Sequence, residues 1–96
     1  MAKTPLSPSY TIKRSRRART GLKKLPPAKR EEVNRITSEY LAVKPLERIP
    51  GITKGLHGLY KGFYQYDVDK SNRIIYSVNK DEKTVYIDMI GSHPDW

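Results

Sequence analysis

The stretch that decides the fold spans residues 59–90, LYKGFYQYDVDKSNRIIYSVNKDEKTVYIDMI. It contains three runs that are rich in aromatic and β-branched residues and alternate in polarity, which is typical of strands: Leu59–Val68, Arg73–Val78 and Thr84–Ile90. The polar segments between them, residues 69–72 and 79–82, are short enough for hairpin turns. The stretch therefore predicts a three-stranded antiparallel meander.

The residues before this stretch predict one strand and two helices. Residues 9–14 alternate in polarity and favour a first, edge-like strand. Ser15 is suited to cap a helix that ends before the prolines at positions 26 and 27, and Pro27 suits the first turn of a second helix that runs to about Leu41. Residues 44–58 contain two prolines and three glycines and predict a long connection to the sheet.

Together these elements predict an α+β fold with an N-terminal strand, an antiparallel helix hairpin and then the meander. The chain has 96 residues, which suffices for one compact domain. Residues 1–8 contain two prolines and no pattern, so we expect them to be a flexible tail and residues 9–96 to form the single domain.

The composition excludes several classes of protein. The chain contains no cysteine, which excludes disulfides, thiol nucleophiles and cysteine-ligated zinc. We find no signal-peptide pattern and no apolar run long enough to cross a membrane, and we expect a cytoplasmic protein without a membrane partner. The two histidines are 36 positions apart and have no metal-ligand spacing, so no metal site is predicted.

Positive charge is concentrated in the first half of the chain. The formal net charge is +9, but residues 1–54 hold fourteen Lys/Arg against four Asp/Glu, whereas residues 55–96 hold five against six. Residues 13–30 hold nine basic residues and no acidic one. A charge balance of this kind favours an anionic partner, which can be nucleic acid, an anionic membrane surface or an acidic protein. For the basic run we take nucleic-acid phosphates as the partner, and a plain solvated helix face is the alternative. The predicted phosphate contacts are Lys13, Arg14, Arg16, Arg17, Arg19, Lys23 and Lys24.

The order of the elements resembles that of the RelE/ParE superfamily of toxin–antitoxin proteins. The Arg-Ile-Ile-Tyr sequence at residues 73–76 is similar to a signature of that superfamily, and Gly-Ser-His-Pro-Asp at residues 91–95 is similar to its Gly-x-His-x-Asp tail. Within the superfamily the chain resembles the RelE/YoeB/YafQ group. The resemblance implies a RelE-like toxin, a ribosome-dependent endoribonuclease that inhibits translation by cleaving mRNA. It implies no cofactor, and as partners the ribosome with its rRNA, mRNA and an acidic antitoxin.

In such enzymes the 2′-hydroxyl of the RNA attacks the neighbouring phosphate, which requires proton transfer and cations at the phosphate. The resemblance makes His93 the predicted acid or base, and Arg73 and Lys61 the predicted phosphate ligands, with Lys61 on the strand that begins at Leu59. Asp67 is a candidate proton acceptor, and its alternative role is a turn-proximal partner of Lys70 or Arg73. The alternative for His93 is an ordinary surface histidine, and the alternative for Arg73 is a strand-end arginine kept for solubility.

Two aromatic residues are predicted to stack on RNA bases, namely Tyr64 and Trp96. Sheet packing is the alternative for Tyr64, and a core anchor for Trp96. One position departs from the histidine-using members of the superfamily, because Met89 stands where they carry an arginine four residues before the histidine. Two other functions stay open. Met89 favours a catalytically decayed basic RNA-binding protein, and the fold also suits a ParE-like non-enzymatic inhibitor of DNA gyrase, against which His93 argues because ParE-type members generally lack this histidine.

Overall fold

The computed structural model describes residues 10–92. The predicted tail, His93 and Trp96 therefore lie outside the described residues. Two helices precede most of the sheet, and the strands and helices are β1 (Thr11–Arg14), α1 (Arg16–Lys24), α2 (Pro27–Ile36), β2 (Thr53–Gly55), β3 (Tyr64–Asp67), β4 (Arg73–Asn79) and β5 (Thr84–Gly91).

The five strands form one mixed sheet in the order β1-β5-β4-β3-β2. β1 pairs with β5 in parallel, and the remaining neighbours are antiparallel. The predicted α+β class, the first edge strand and both helices are confirmed.

The antiparallel part of the sheet has four strands, whereas the sequence predicted three. The additional strand, β2, lies inside the predicted connection at residues 44–58 and pairs with β3. It is three residues long and bounded by glycine, so it carries no alternation that a sequence reading can detect.

The strand predicted to begin at Leu59 begins at Tyr64 instead. Residues Gly58–Tyr60 form a single 3₁₀ turn, and Gly58 and Gly62 have φ values of 67° and 95°. These left-handed conformations suit glycine and turn the chain before it enters the sheet. Lys61 is therefore in a turn that precedes β3, which corrects its predicted position on the strand.

Local hydrogen bonds explain where the helices begin and end. The Oγ of Ser15 accepts a hydrogen bond from the backbone N–H of Ala18 at 3.0 Å, which caps α1 as predicted. α2 begins at Pro27 and passes into a wider π-helical turn, Thr37–Leu41, where the hydroxyl of Thr37 donates to the carbonyl of Val33. The helical segment thus ends at the predicted Leu41.

Both helices pack on one face of the sheet, and the core lies between them. Its buried residues are Ala18, Leu25, Val33, Tyr40 and Leu41 from the helical segments and Ile74, Tyr76, Val85, Ile87 and Ile90 from the sheet. Because side chains alternate along a strand, Arg73, Ile75 and Ser77 of β4 point to the opposite side, which we call the second face.

Candidate active site and basic cleft

Arg73 and Asp67 lie side by side on the second face, at the turn that joins β3 to β4. They are directly paired across the two strands, and the Nε of Arg73 is 3.4 Å from the Oδ1 of Asp67. This is an ion-pair contact without hydrogen-bond geometry, because the buried Nε has no hydrogen-bond partner among the described residues. The same Oδ1 accepts a hydrogen bond from the Nε2 of Gln65 at 2.8 Å.

The turn before Arg73 is held by Asp69. Its carboxylate accepts hydrogen bonds from the backbone N–H groups of Ser71 and Asn72 at 2.8 and 2.7 Å, which is an Asx-type turn. Its other oxygen is 2.9 Å from the Nζ of Lys29 on α2. The hydrogen bond from Lys29 is the main reason that the pKa of Asp69 is lowered well below its usual range. Helix α2 therefore fixes the turn that presents Arg73.

Gly91 is the neighbour of Arg73 on the side of β5. Its φ of 135° is accessible to glycine and strained for other residues, so the strand ends there. His93 follows two residues later, outside the described residues. Met89, four residues before His93 in the sequence, pairs with Ile75 on the second face and is only 7% exposed.

A basic cleft lies beside this site, between α1 and the end of β5. It has a volume of about 750 Å³, and its lining includes cations from α1 and a residue of the β3–β4 turn: Arg16, Arg17, Lys24 and Asn72. Asn72 is the residue next to Arg73, so the cleft joins the cationic helix to the turn that carries the candidate active site.

Glycine at position 21 allows α1 to approach β5 this closely. A Cβ atom at Gly21 would lie 1.8 Å from the carbonyl oxygen of Ile90, a distance that real Cβ atoms essentially never show. The start of the helix is fastened to the same strand, because the Oγ of Ser15 donates to the carbonyl of Asp88 at 2.6 Å. Arg17 adds an exposed ion pair to the Asp88 carboxylate at 3.1 Å.

The remaining predicted phosphate contacts are spread over α1 and β1. Arg19 and Lys23 are exposed on α1 outside the lining of the cleft. Lys13 pairs with Tyr86 on the second face, and Arg14 is half-buried at the end of β1. The structure thus brings three of the seven cations into the cleft and leaves the other four outside it.

Lys61 and Arg73 are not brought together by the sheet. Lys61 precedes the first residue of β3, whereas Arg73 pairs with Asp67, the last residue of that strand. A cation that the sequence did not single out, Lys54 of β2, pairs with Gln65 and shares the second face with Asp67. The sequence could have indicated Lys54 only if residues 53–55 had been recognised as a strand.

Tyr64 lies on the side of the sheet that faces the core. Its ring centroid is 5.6 Å from that of Tyr76, and the guanidinium of Arg48 lies 4.4 Å from its centroid on the ring face. These contacts correspond to the sheet-packing alternative, and base stacking by Tyr64 stays a prediction.

Within residues 10–92, no group of three His, Cys, Asp or Glu side chains is arranged to hold a metal ion. The same residues include no helix of the length and hydropathy that crossing a bilayer requires.

Comparison with known proteins gives a consistent structural result. Neither a scan against models of protein families nor a search of curated proteins produced a match. Among solved structures, one chain of the toxin–antitoxin complex RelBE2 from Mycobacterium tuberculosis is similar with a TM-score of 0.74 and 25% identity, over 91% of this chain and 100% of that one.

Two further structures show the same likeness. The archaeal RelE–RelB complex from Pyrococcus horikoshii gives a TM-score of 0.73 at 24% identity, covering 88% of this chain and 94% of that chain. The YoeB–YefM complex from Staphylococcus aureus gives 0.71 at 19% identity, covering 88% and 98%.

The fold, with its mixed five-stranded sheet and two helices on one face, is therefore that of the small toxins of toxin–antitoxin systems. More specifically, the structure is similar to those of RelE and YoeB, a likeness that supports a member of the RelE/ParE-like superfamily of toxins.

Proposed function

We propose that the chain is a ribosome-dependent endoribonuclease toxin that cleaves mRNA without a metal ion and is neutralised by an acidic antitoxin. The observation that carries the proposal is the junction of the basic cleft with the Arg73–Asp67 pair through the β3–β4 turn. An RNA strand bound along the cleft passes the one arginine of the second face that β3 and β4 hold in place.

The chemistry calls for a cation at the phosphate and a proton-transferring group beside it. The guanidinium of Arg73 is suited to two oxygens of a phosphate, and Asp67 restrains it from one side. His93 is two residues beyond Gly91, so the covalent chain keeps the two Cα atoms within about 7 Å of each other. Gly91 and Arg73 are cross-strand neighbours about 5 Å apart, and on this basis we assign the proton-transferring role to His93.

In this proposal the 2′-oxygen bonds to phosphorus as the bond from phosphorus to the 5′-oxygen breaks. His93 passes the proton of the 2′-hydroxyl to the departing 5′-oxygen, and Arg73 binds the phosphate. Asp67 then acts by orienting Arg73, since its Oδ1 is already engaged by Gln65 and lies near the guanidinium. Lys61 is at the opposite end of β3 from this pair, so we assign it at most a contact with a more distant phosphate. Lys54, which pairs with Gln65, is a further cation on the same face as Arg73.

The basic cleft acts in positioning. Contacts with phosphates hold a nucleic acid in register without reading its sequence, and they weaken steeply as salt rises. Arg16, Arg17 and Lys24 supply three such contacts in the cleft, and Lys13, Arg14, Arg19 and Lys23 extend the positive surface toward rRNA. We propose stacking on the RNA for Trp96 at the chain end.

An antitoxin partner follows from the class of the neighbours. The similar structures are complexes described as RelBE2, RelE–RelB and YoeB–YefM, each containing an antitoxin. A partner that covers this surface is expected to be acidic, because the first 54 residues alone carry a net charge of +10.

The test is to add the chain to a bacterial translation extract and to map the 5′ ends of the mRNA. We expect cuts inside ribosome-bound codons, a loss of about a hundredfold or more with His93→Ala, and a comparable loss with Arg73→Ala. The matched control is His57→Ala, which removes the other histidine from an exposed loop and is expected to leave cleavage unchanged. Equal cleavage by the His93 and His57 variants would contradict the proposal.

A second candidate function is supported by Met89. This residue is buried and apolar where the resemblance leads one to expect an arginine, and a site that lacks this cation fits a catalytically decayed, RNA-binding protein. Salt-dependent ribosome binding with intact mRNA would favour that candidate. DNA breakage that depends on gyrase would favour a ParE-like inhibitor instead.

A further inference from the structure

Phe63, Ser77 and Tyr86 form a row across the second face, which we call the aromatic slot. Ser77 of β4 pairs with Tyr86 of β5, and on its other side Tyr86 pairs with Lys13 of β1. Phe63 is the residue before β3, and continuing the β3–β4 register places it opposite Ser77. All four residues line one cavity of about 410 Å³.

The spacing of the slot matches a flat heteroaromatic ring. Adjacent strands are about 4.8 Å apart, so the backbones of Phe63 and Tyr86, with β4 between them, are separated by about 10 Å. A ring in van der Waals contact with an aromatic side chain on each side occupies about 7–8 Å. The small side chain of Ser77 leaves this space free, and its hydroxyl can donate to or accept from the edge of a base.

The aromatic slot is accessible to solvent, whereas the neighbouring row of side chains on the second face is buried. Ile75 and Met89 of the adjacent row are 0% and 7% exposed, whereas Tyr86 is 39% exposed. The ring of Tyr86 is oriented by its hydroxyl, which donates to the Oε1 of Glu82 at 2.8 Å. Phe63 is oriented by an edge contact with Tyr60, with ring centroids 6.0 Å apart. Both rings are thus held in place without being buried.

The charges around the slot favour an anionic ligand at one end. Lys13 is exposed beside Tyr86. The carboxylate of Asp88, which also lines the cavity, is paired with Arg17 at 3.1 Å. Glu82 is not among the residues that line the cavity, and its carboxylate accepts the hydrogen bond from the Tyr86 hydroxyl. A base in the slot can therefore place an adjoining phosphate on Lys13.

We propose that the aromatic slot binds one unpaired base of the RNA strand whose phosphate is held by Arg73. The inference rests on the proposed function for the identity of that strand. Ser77 follows Arg73 by four residues on the same strand and the same face, a distance of about 13 Å. The stacked base accordingly belongs to a nucleotide that flanks the cleaved bond, and the slot selects how the strand is aligned on the toxin.

The test uses a single-stranded RNA hexanucleotide that carries 2-aminopurine, whose fluorescence is quenched on stacking. The variants Phe63→Leu and Tyr86→Leu keep apolar bulk but remove a ring, and we expect about tenfold weaker binding from each, as for loss of one base–aromatic stack. Tyr86→Phe and Phe63→Trp keep a ring and are expected to bind within about twofold of the parent chain.

Leu59→Ala is the matched control, because Leu59 is 97% exposed outside the slot and its loss is expected to leave binding unchanged. Unchanged binding in both leucine variants overturns the slot, as does an equal loss in Tyr86→Phe and Tyr86→Leu. If AMP displaces the labelled RNA as effectively as unlabelled hexanucleotide does, the assignment of the slot to an RNA strand is overturned.

The cleavage assay separates this inference from the proposed function. If 2-aminopurine quenching depends on the rings of Phe63 and Tyr86 but the chain cuts no mRNA, the result supports base binding by the slot and refutes the proposed nuclease activity. Arg73-dependent cleavage at unchanged positions in the leucine variants, with unchanged binding, refutes only the slot.

Discussion

Replacing Gly21 with alanine tests the contact that forms the basic cleft. The added Cβ would start 1.8 Å from the carbonyl oxygen of Ile90, and the accepted minimum is 3.0 Å, so α1 and β5 must separate by at least about 1.2 Å. The opposing atom belongs to the backbone and cannot rotate away. The separation opens the packing of Ala18 and Leu25 against the sheet.

Two opposing effects set the magnitude. Alanine is favoured over glycine in a helix by about 1 kcal/mol, which taken alone would stabilise the variant. Overpacking a close contact costs about 1–3 kcal/mol, and a clash with backbone belongs at the upper end of that range. We therefore expect a net loss of about 2 kcal/mol in the free energy of unfolding, or roughly 10 °C in Tm for a domain of this size.

The assay is urea unfolding followed by circular dichroism, with Thr20→Ala as the matched control. Thr20 is the preceding residue of the same helix and is exposed, so its replacement is expected to change stability by no more than about 0.5 kcal/mol. A Gly21→Ala variant as stable as the parent chain would refute the close approach of α1 to β5, and with it the geometry of the cleft.

Three further predictions concern the turn, the core and the cleft. Because the pKa of Asp69 lies below its unfolded value of 3.8, its ionised form stabilises the fold above about pH 4, and this contribution is lost as pH falls. In urea unfolding, the free energy of unfolding of Asp69→Asn should therefore fall less steeply at acid pH than that of the parent chain. Parallel pH profiles of the two chains would contradict this. Tyr76→Phe removes the hydrogen bond that the buried hydroxyl donates to the carbonyl of Pro45 at 3.1 Å, and we expect urea unfolding to show a loss of about 1–2 kcal/mol, whereas no loss would refute the bond. Reversing Arg16, Arg17 and Lys24 to Glu should weaken binding to single-stranded RNA and lower the slope of log K against log salt by about 2. The same reversal at the exposed Arg35, Lys44 and Lys80 is the matched control, and an equal effect there would mean that net charge alone matters.

The sequence predicted the elements whose signals are local. The serine at position 15 and the proline at position 27 mark helix starts through hydrogen bonding and a fixed φ, and both helices begin there. The two polar turns of the meander are likewise set by nearby side chains, since Asp69 and Asn79 each accept backbone hydrogen bonds within the turn.

The remaining features depend on tertiary contacts that no short window contains. β2 exists because β3 is available to pair with it, and its three residues have no pattern of their own. Lys61 was assigned to a strand because the alternation of Leu59–Val68 runs through a turn made by two left-handed glycines. The sequence predicts a contact between Arg73 and Asp67 only as the alternative role of the aspartate. In the structure the two side chains form an ion pair.

The short length of β1 explains why the cationic helix lies beside the candidate site. β1 pairs with β5 only from Thr84 to Ile87. The pairing of β5 with β4 shifts register at the next residue, so Asp88 has no partner on β4. The last residues of β5 therefore have a free edge, and α1 begins there because Ser15 bonds to the carbonyl of Asp88. A longer β1 would cover that edge and move α1 away from the β3–β4 turn. The position at which β1 ends thus determines that the cations of α1 lie next to the turn that carries Arg73.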